Sequence, residues 1–184
     1  MNASQAIGLI ETSSIAKGFA IGDAVLKAAD VEIIVNRTIC PGKYMVLIGG
    51  RVDAVQTSVD AGVLVGAHTV VDHFVISSVH PDVFPAISGV AHLPELKALG
   101  VLESFSVAST IEAANAAVKA AHVKLIAIHM AMAIGGKAFV TLTGEVAAVE
   151  EAVSVGAAVI EHKGLLVEKV VIPSPRPEIV TELV

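Results

Sequence analysis

With 184 residues, 54% of them hydrophobic, the chain can bury a sizeable core as one ordinary domain or two small ones. A formal net charge of −6, only 3% aromatic residues and no Lys/Arg cluster exclude nucleic acid as the natural partner, and no apolar run reaches the roughly 18 residues of a membrane span. Residues 1–5 lack the basic segment and apolar core of a secretory signal, and a single cysteine cannot form an internal disulfide, which fits a reducing cytoplasm. Charged residues are scarce at 16%, so part of the surface is expected to be covered by subunit contacts.

In chain order, Ala6-Ile7-Gly8-Leu9-Ile10-Glu11 reads as a short buried strand. Ser14 can cap a helix whose apolar stripe is read as Ile15, Phe19, Gly22, Leu26 and Ala29. The β-branched run Val31 to Val35 predicts a second strand, and Thr38-Ile39-Cys40-Pro41-Gly42-Lys43 a turn. Tyr44 to Ile48 is a third strand closed by Gly49-Gly50. Val52, Val55, Val59 and Val63 mark a second helix, Val70 to Val79 contains a fourth strand, and Pro81 to Ile87 forms a short helical tail. The order βαββαβ predicts a ferredoxin-like α/β (α+β) unit, an antiparallel sheet with helices on one face.

The whole pattern then recurs. Ala98-Leu99-Gly100-Val101-Leu102-Glu103 repeats the opening strand, and Val107, Ile111, Ala114, Val118 and Ala121 repeat the first helix stripe. Residues 24–31 align with residues 116–123, Gly42-Lys43 with Gly136-Lys137, Gly50-Arg51-Val52 with Gly144-Glu145-Val146, and His80-Pro81-Asp82 with Arg176-Pro177-Glu178. Two tandem domains are predicted, residues 1–92 and 93–184, joined through Ser88-Gly89-Val90-Ala91-His92-Leu93-Pro94. The copies differ most at the turn, where Ile39-Cys40-Pro41-Gly42-Lys43 faces Ala133-Ile134-Gly135-Gly136-Lys137. A lone cysteine is more often a small buried hydrophobe than a ligand. Glycine in the equivalent turn of copy two weakens that reading and favours a thiol placed on an exposed turn.

These residues resemble the shell-protein domain of bacterial microcompartments over nearly the whole chain, twice. The family's GLIET pattern stands as Gly8-Leu9-Ile10-Glu11-Thr12 and again as Gly100-Val101-Leu102-Glu103-Ser104. Its DAMVKAANV helix end stands as residues 23–31, and its IPRPH tail as Ile172-Pro173-Ser174-Pro175-Arg176-Pro177-Glu178 with a small insertion. His80 takes the place of the tail arginine in copy one. The element order is not circularly permuted. The cysteine turn is most similar to that of the T-type tandem shell proteins of propanediol-utilisation compartments.

The resemblance implies a homotrimer that imitates a hexameric tile, in the microcompartment shell of the cytoplasm, beside other shell proteins and an encapsulated redox enzyme. It implies a central pore lined by Ile39, Cys40, Pro41, Gly42 and Lys43 with Gly135 and Gly136, and a tile edge carrying Lys27, Lys119 and Arg176. It also implies one 4Fe-4S cluster per trimer with Cys40 as its metal ligand, because such clusters are held by thiolates and three chains on an axis bring three together. The fourth ligand would come from water, a small molecule or a partner. The function expected is structural, with electrons or the cluster itself crossing the shell. The alternatives are a tile whose empty pore passes small metabolites and a soluble oligomeric electron carrier. His68, His73, His80, His92, His122, His129 and His162 show no metal-ligand spacing; the repeat equivalents His68 and His162 suggest a scaffold role, and most of the seven are read as surface or capping residues. Gly135-Gly136-Lys137 lacks the spacing of a phosphate loop. No paired carboxylates or Ser/His/Asp order mark a hydrolase, so no enzymatic activity is expected.

Overall fold

A computed structural model describes residues 6–89 and 95–180. The predicted boundary at residues 92 and 93, most of the predicted join, His92 and the N-terminal residues 1–5 lie outside the described residues. By contacts the chain forms two compact units, one of residues 6–79 with Ala131–Gly136, the other of His80–Met130 with residues 137–180.

The first repeat builds β1 (Ala6–Thr12), α1 (Ile15–Ala28), β2 (Val31–Ile39), β3 (Lys43–Gly50), α2 (Val52–Gly66) and β4 (Val70–Ile76). Its antiparallel sheet has the order β2-β3-β1-β4. The short helix α3 (Val83–Ser88) follows. The second repeat builds β5 (Ala98–Ser104), α4 (Val107–Ala120), β6 (Val123–Met130), β7 (Ala138–Gly144), α5 (Val146–His162) and β8 (Leu166–Pro173), with the order β6-β7-β5-β8. The predicted βαββαβ order is present twice. The repetition extends to defects in register: β2 slips against β3 between Ile33 and Val35, and β6 against β7 between Leu125 and Ala127. A bulge of this kind increases the local twist of a strand.

The core of the first unit is Ala6, Ile10, Ile21, Val25, Val31, Tyr44, Val46, Ile48, Val55 and Val59. Small residues set how closely the helices approach. A Cβ on Gly62 of α2 would stand 2.4 Å from Ile10 Cδ1 and 2.9 Å from Val25 Cγ1, so a side chain there would push α2 off β1 and α1. The Ser58 hydroxyl, buried in the same layer, donates to the Val25 carbonyl at 2.8 Å. Ser14 caps α1 as predicted, its side chain accepting from the Lys17 N–H at 3.3 Å.

Two expectations change. β2 runs to Ile39 rather than Val35, because its backbone continues to pair with β3 through Asn36–Val46, Arg37–Met45 and Thr38–Tyr44 whatever the polarity of the side chains. The inward face of α1 is Gly18, Ile21, Gly22 and Val25, which shares only Gly22 with the predicted stripe: Ile15, Phe19 and Leu26 are 41%, 63% and 50% exposed. A Cβ on Gly18 would lie 2.2 Å from the Tyr44 ring, so the helix rests on that ring through a glycine; the equivalent face of α4, Thr110, Ala113, Ala114 and Ala117, is buried too, and α4 differs in being covered by α3. In α4 the predicted stripe is inward, with Val107, Ile111, Ala114 and Val118 all buried. Leaving Ile15, Phe19 and Leu26 in water forgoes about 1.5–3 kcal/mol for each fully covered side chain.

In the second unit α3 lies on β6 and α4. Val83, Ala86 and Ile87 are buried there. The His80 N–H donates to Asn115 Oδ1 at 2.9 Å, and Lys124 Nζ stands 3.2 Å from Asp82 Oδ2.

Candidate functional site at the β2–β3 turn

Ile39 is buried at the end of β2, and Lys43 opens β3, so Cys40, Pro41 and Gly42 form the tip. Gly42 sits at φ +77° with nothing within 4 Å of where a Cβ would be, a left-handed turn residue facing open space. Cys40 is a half-buried free thiol. Its backbone N–H donates to the Ala131 carbonyl at 2.8 Å, so the turn is held from the loop of the second repeat. That loop, Ala131–Gly136, packs with the first unit. Gly136, at φ +83°, is where the two loops touch: a Cβ would stand 2.3 Å from Pro41 Cδ and 3.1 Å from the Cys40 carbonyl. Ala131 and Ala133 hold positive φ values of 45° and 60°, a conformation that costs about 1–3 kcal/mol per non-glycine residue unless its surroundings impose it.

Lys43 does not project freely from the turn. Its Nζ lies 2.6 Å from Glu11 Oε1, with the Lys43 side chain 14% exposed and that of Glu11 fully buried. The repeat equivalent, Lys137 with Glu103, has the same partnership at 2.5 Å but with side chains 39% and 26% exposed. The buried pair ties the start of β3 to β1 next to the turn that carries the cysteine.

The remaining predicted residues lie apart from the turn. Lys27 is exposed at the end of α1 and pairs with Asp23 at 2.6 Å. Lys119 is exposed at the end of α4. Arg176 is exposed after β8, 3.9 Å from Glu178. The structure thus brings Ile39, Cys40, Pro41, Gly42 and Lys43 together with Gly135 and Gly136, and leaves Lys27, Lys119 and Arg176 at the surface. Among the described residues, no group of three or more His, Cys, Asp or Glu side chains could hold a metal ion within one chain. No helix among them is long and apolar enough to cross a membrane. His129 is not the surface residue expected: it stacks on Phe139 with ring centroids 4.3 Å apart, its Nε2 buried without a hydrogen-bond partner. Sequence reasoning missed Glu11 and Ala131 as supports of the turn. A charged residue inside an otherwise apolar strand was the available signal for Glu11, whereas a backbone carbonyl leaves none.

Two successive four-stranded α+β domains, each presenting its β2–β3 type loop in the same sequence position, define a tandem shell-domain architecture. The BMC domain family matches residues 6–79 and 98–175, and the chain belongs to this family of bacterial microcompartment shell proteins. Along 98% of both sequences it is 44% identical to the bacterial microcompartment shell protein PduT of Citrobacter freundii. The shell protein EutM of Salmonella typhimurium is 38% identical over 46% of this chain and 85% of its own length. The crystal structure of a microcompartments protein from Desulfitobacterium hafniense DCB superposes with a TM-score of 0.85 at 51% identity, covering 96% of this chain and 98% of that one. The protein is a structural component of a microcompartment shell.

Proposed function

We propose that this shell protein assembles as a homotrimeric tile whose pore carries a redox centre, with Cys40 of each chain holding one 4Fe-4S cluster per trimer. The observation that carries the reading is a half-buried free thiol at the tip of a turn whose following strand is tied by Lys43–Glu11 and whose Cys40 N–H is held by Ala131. The donor chemistry fits. Iron–sulfur clusters take thiolate ligands, and Cys40 is the only cysteine, so a ligand set must come from several copies of the chain. Three thiolates leave one position to water, a small molecule or a partner. A cluster bound there supplies one-electron transfer. The chain's own part is positional. The Cys40 N–H stays fixed on Ala131, Gly42 keeps the tip free of side chain, and Gly136 lets the second loop close on Pro41. In this reading electrons, or the cluster itself, cross the shell to serve an encapsulated redox enzyme. Lys27, Lys119 and Arg176 serve the rim that meets other shell proteins.

Iron and sulfide content per trimer, measured after anaerobic reconstitution, tests the reading. The protein is expected to turn brown with broad visible absorption, and Cys40→Ser to lose both while keeping its mass in solution. A serine variant that keeps iron and spectrum refutes Cys40 as the ligand. A colourless reconstituted protein leaves a pore that passes small metabolites.

A further inference from the structure

The first helix of each domain ends in an equivalent corner, and the two corners differ in charge. α1 passes into β2 through Asp30, and β3 into α2 through Arg51; α4 passes into β6 through His122, and β7 into α5 through Glu145. Within each unit the two connections lie side by side. A Cβ on Gly50 would meet the Asp30 carbonyl at 3.4 Å, and one on Gly144 the His122 carbonyl at 3.1 Å. In the first unit Lys27 pairs with Asp23 and Arg51 with Asp53, all four exposed. Asp30 and Glu32 are exposed as well, and among the described residues neither is in an ion pair. The first corner is therefore acidic. In the second unit Asn115 and Ala147 stand in place of Asp23 and Asp53, His122 in place of Asp30 and Lys124 in place of Glu32. Lys124 pairs with Asp82 and Lys97 with Glu145. Beyond these pairs the second corner carries Lys119 and His122 on one side and Glu95, which lines the same open crevice as Lys97 and His122, on the other. It is close to neutral.

We propose that in a sheet of tiles the acidic corner of one copy's first domain meets the near-neutral corner of another copy's second domain, so that neighbouring tiles share one orientation. This rests on the homotrimer and the rim of the proposed function and states which rim meets which. Only the difference in charge between the corners matters. When every edge of a tile is used, the choice lies between unlike contacts throughout and equal numbers of first–first and second–second contacts. Coulomb energy follows the product of the facing charges. The product of two unequal charges is always smaller than the mean of their squares, so the unlike arrangement is the less repulsive. A first–first contact sets Asp30 and Glu32 against a second Asp30 and Glu32, and facing like charges suppress a pairing. An unlike contact sets them against Lys119 and His122. In the proposed ring three chains place first-domain and second-domain edges alternately, so opposite sides of a tile are of different type. Tiles related by translation then make unlike contacts only. The occupant is a second copy because one chain carries both members of the favoured pair.

The test uses two full-length proteins, each with Cys40→Ser removing the native thiol and one new cysteine, Asp30→Cys in one and His122→Cys in the other. Sheets of each protein alone, treated with a short bis-maleimide, are expected to stay single chains on a denaturing gel. Sheets grown from an equal mixture are expected to give a two-chain species, which dispersed trimer at high dilution does not give. Independently, Asp30→Asn is expected not to lower the protein concentration at which sheets appear in electron micrographs, since Asp30 faces no second Asp30. A two-chain species from the Asp30→Cys sheets alone, mixed sheets that never link, or a severalfold lower onset for Asp30→Asn overturns the unlike pairing while the rim stands. A Cys40→Ser parent that is trimeric but forms no sheets at any concentration overturns the rim and the inference together, and a parent that is a single chain in solution overturns the homotrimer as well.

Discussion

Lys43→Met removes the cation from a fully buried carboxylate beneath the cysteine turn, and the second repeat supplies a built-in control. In the first unit Lys43 and Glu11 are 14% and 0% exposed at 2.6 Å; in the second, Lys137 and Glu103 are 39% and 26% exposed at 2.5 Å. The contact distances differ by only 0.1 Å, so burial is the main difference between the two perturbations. Stranding a buried charge by deleting its partner costs about 3–5 kcal/mol, whereas a partly solvated pair is worth about 0–1 kcal/mol. For a chain of this size each kcal/mol moves the melting temperature by about 2–4 °C. Lys43→Met is therefore expected to lower the first transition by about 6–20 °C, and Lys137→Met by at most about 4 °C. Scanning calorimetry of the two variants in the same oligomeric state measures the difference. Replacing both members, Lys43→Met with Glu11→Gln, should restore part of the loss, because no unpaired charge remains. Equal shifts for the two lysine variants, or a double variant worse than Lys43→Met, would refute the argument from burial.

Two further outcomes follow from the loops and the rim. Gly136→Ala puts a Cβ 2.3 Å from Pro41 Cδ at φ +83°, so it should cost about 1–3 kcal/mol and displace the turn, seen as faster alkylation of Cys40 by mass spectrometry. Gly135→Ala, at φ +66° but with nothing within 4 Å, carries the backbone strain without the clash and should raise the alkylation rate less than Gly136→Ala. Lys27→Asp combined with Lys119→Asp should stop extended sheets forming in electron micrographs while light scattering still reports the trimer. On the proposed rim role, each mispaired contact would cost roughly 1 kcal/mol and be repeated across a sheet. Sheets at normal density would show these lysines to be merely solvated.

The tandem βαββαβ order was legible because its signals are local. Apolar runs such as Tyr44 to Ile48, the Ser14 cap and the glycines that close strands act within a few residues of themselves, and each occurs twice. The position of the cysteine turn was legible for the same reason, since Pro41 and Gly42 mark it wherever the chain goes. The orientation of α1 was not. Ile15, Phe19 and Leu26 share one helical period, and Ile21 and Val25 share another, so the pattern has two apolar faces and periodicity cannot choose between them. Which face meets the sheet shows only in contacts such as Gly18 against the Tyr44 ring, between residues far apart in the chain.

The amino-acid sequence by itself determined the two domains, the turn that carries the single thiol and the family to which they point, because strand, helix and turn preferences are encoded residue by residue. Tertiary structure alone decided what surrounds that thiol. The buried Glu11 under Lys43, the Ala131 carbonyl on Cys40 and the close fit of Gly136 to Pro41 are all long-range contacts. They arise when packed elements bring distant segments within hydrogen-bond or van der Waals reach, and a backbone carbonyl or an absent Cβ leaves no mark in composition or spacing.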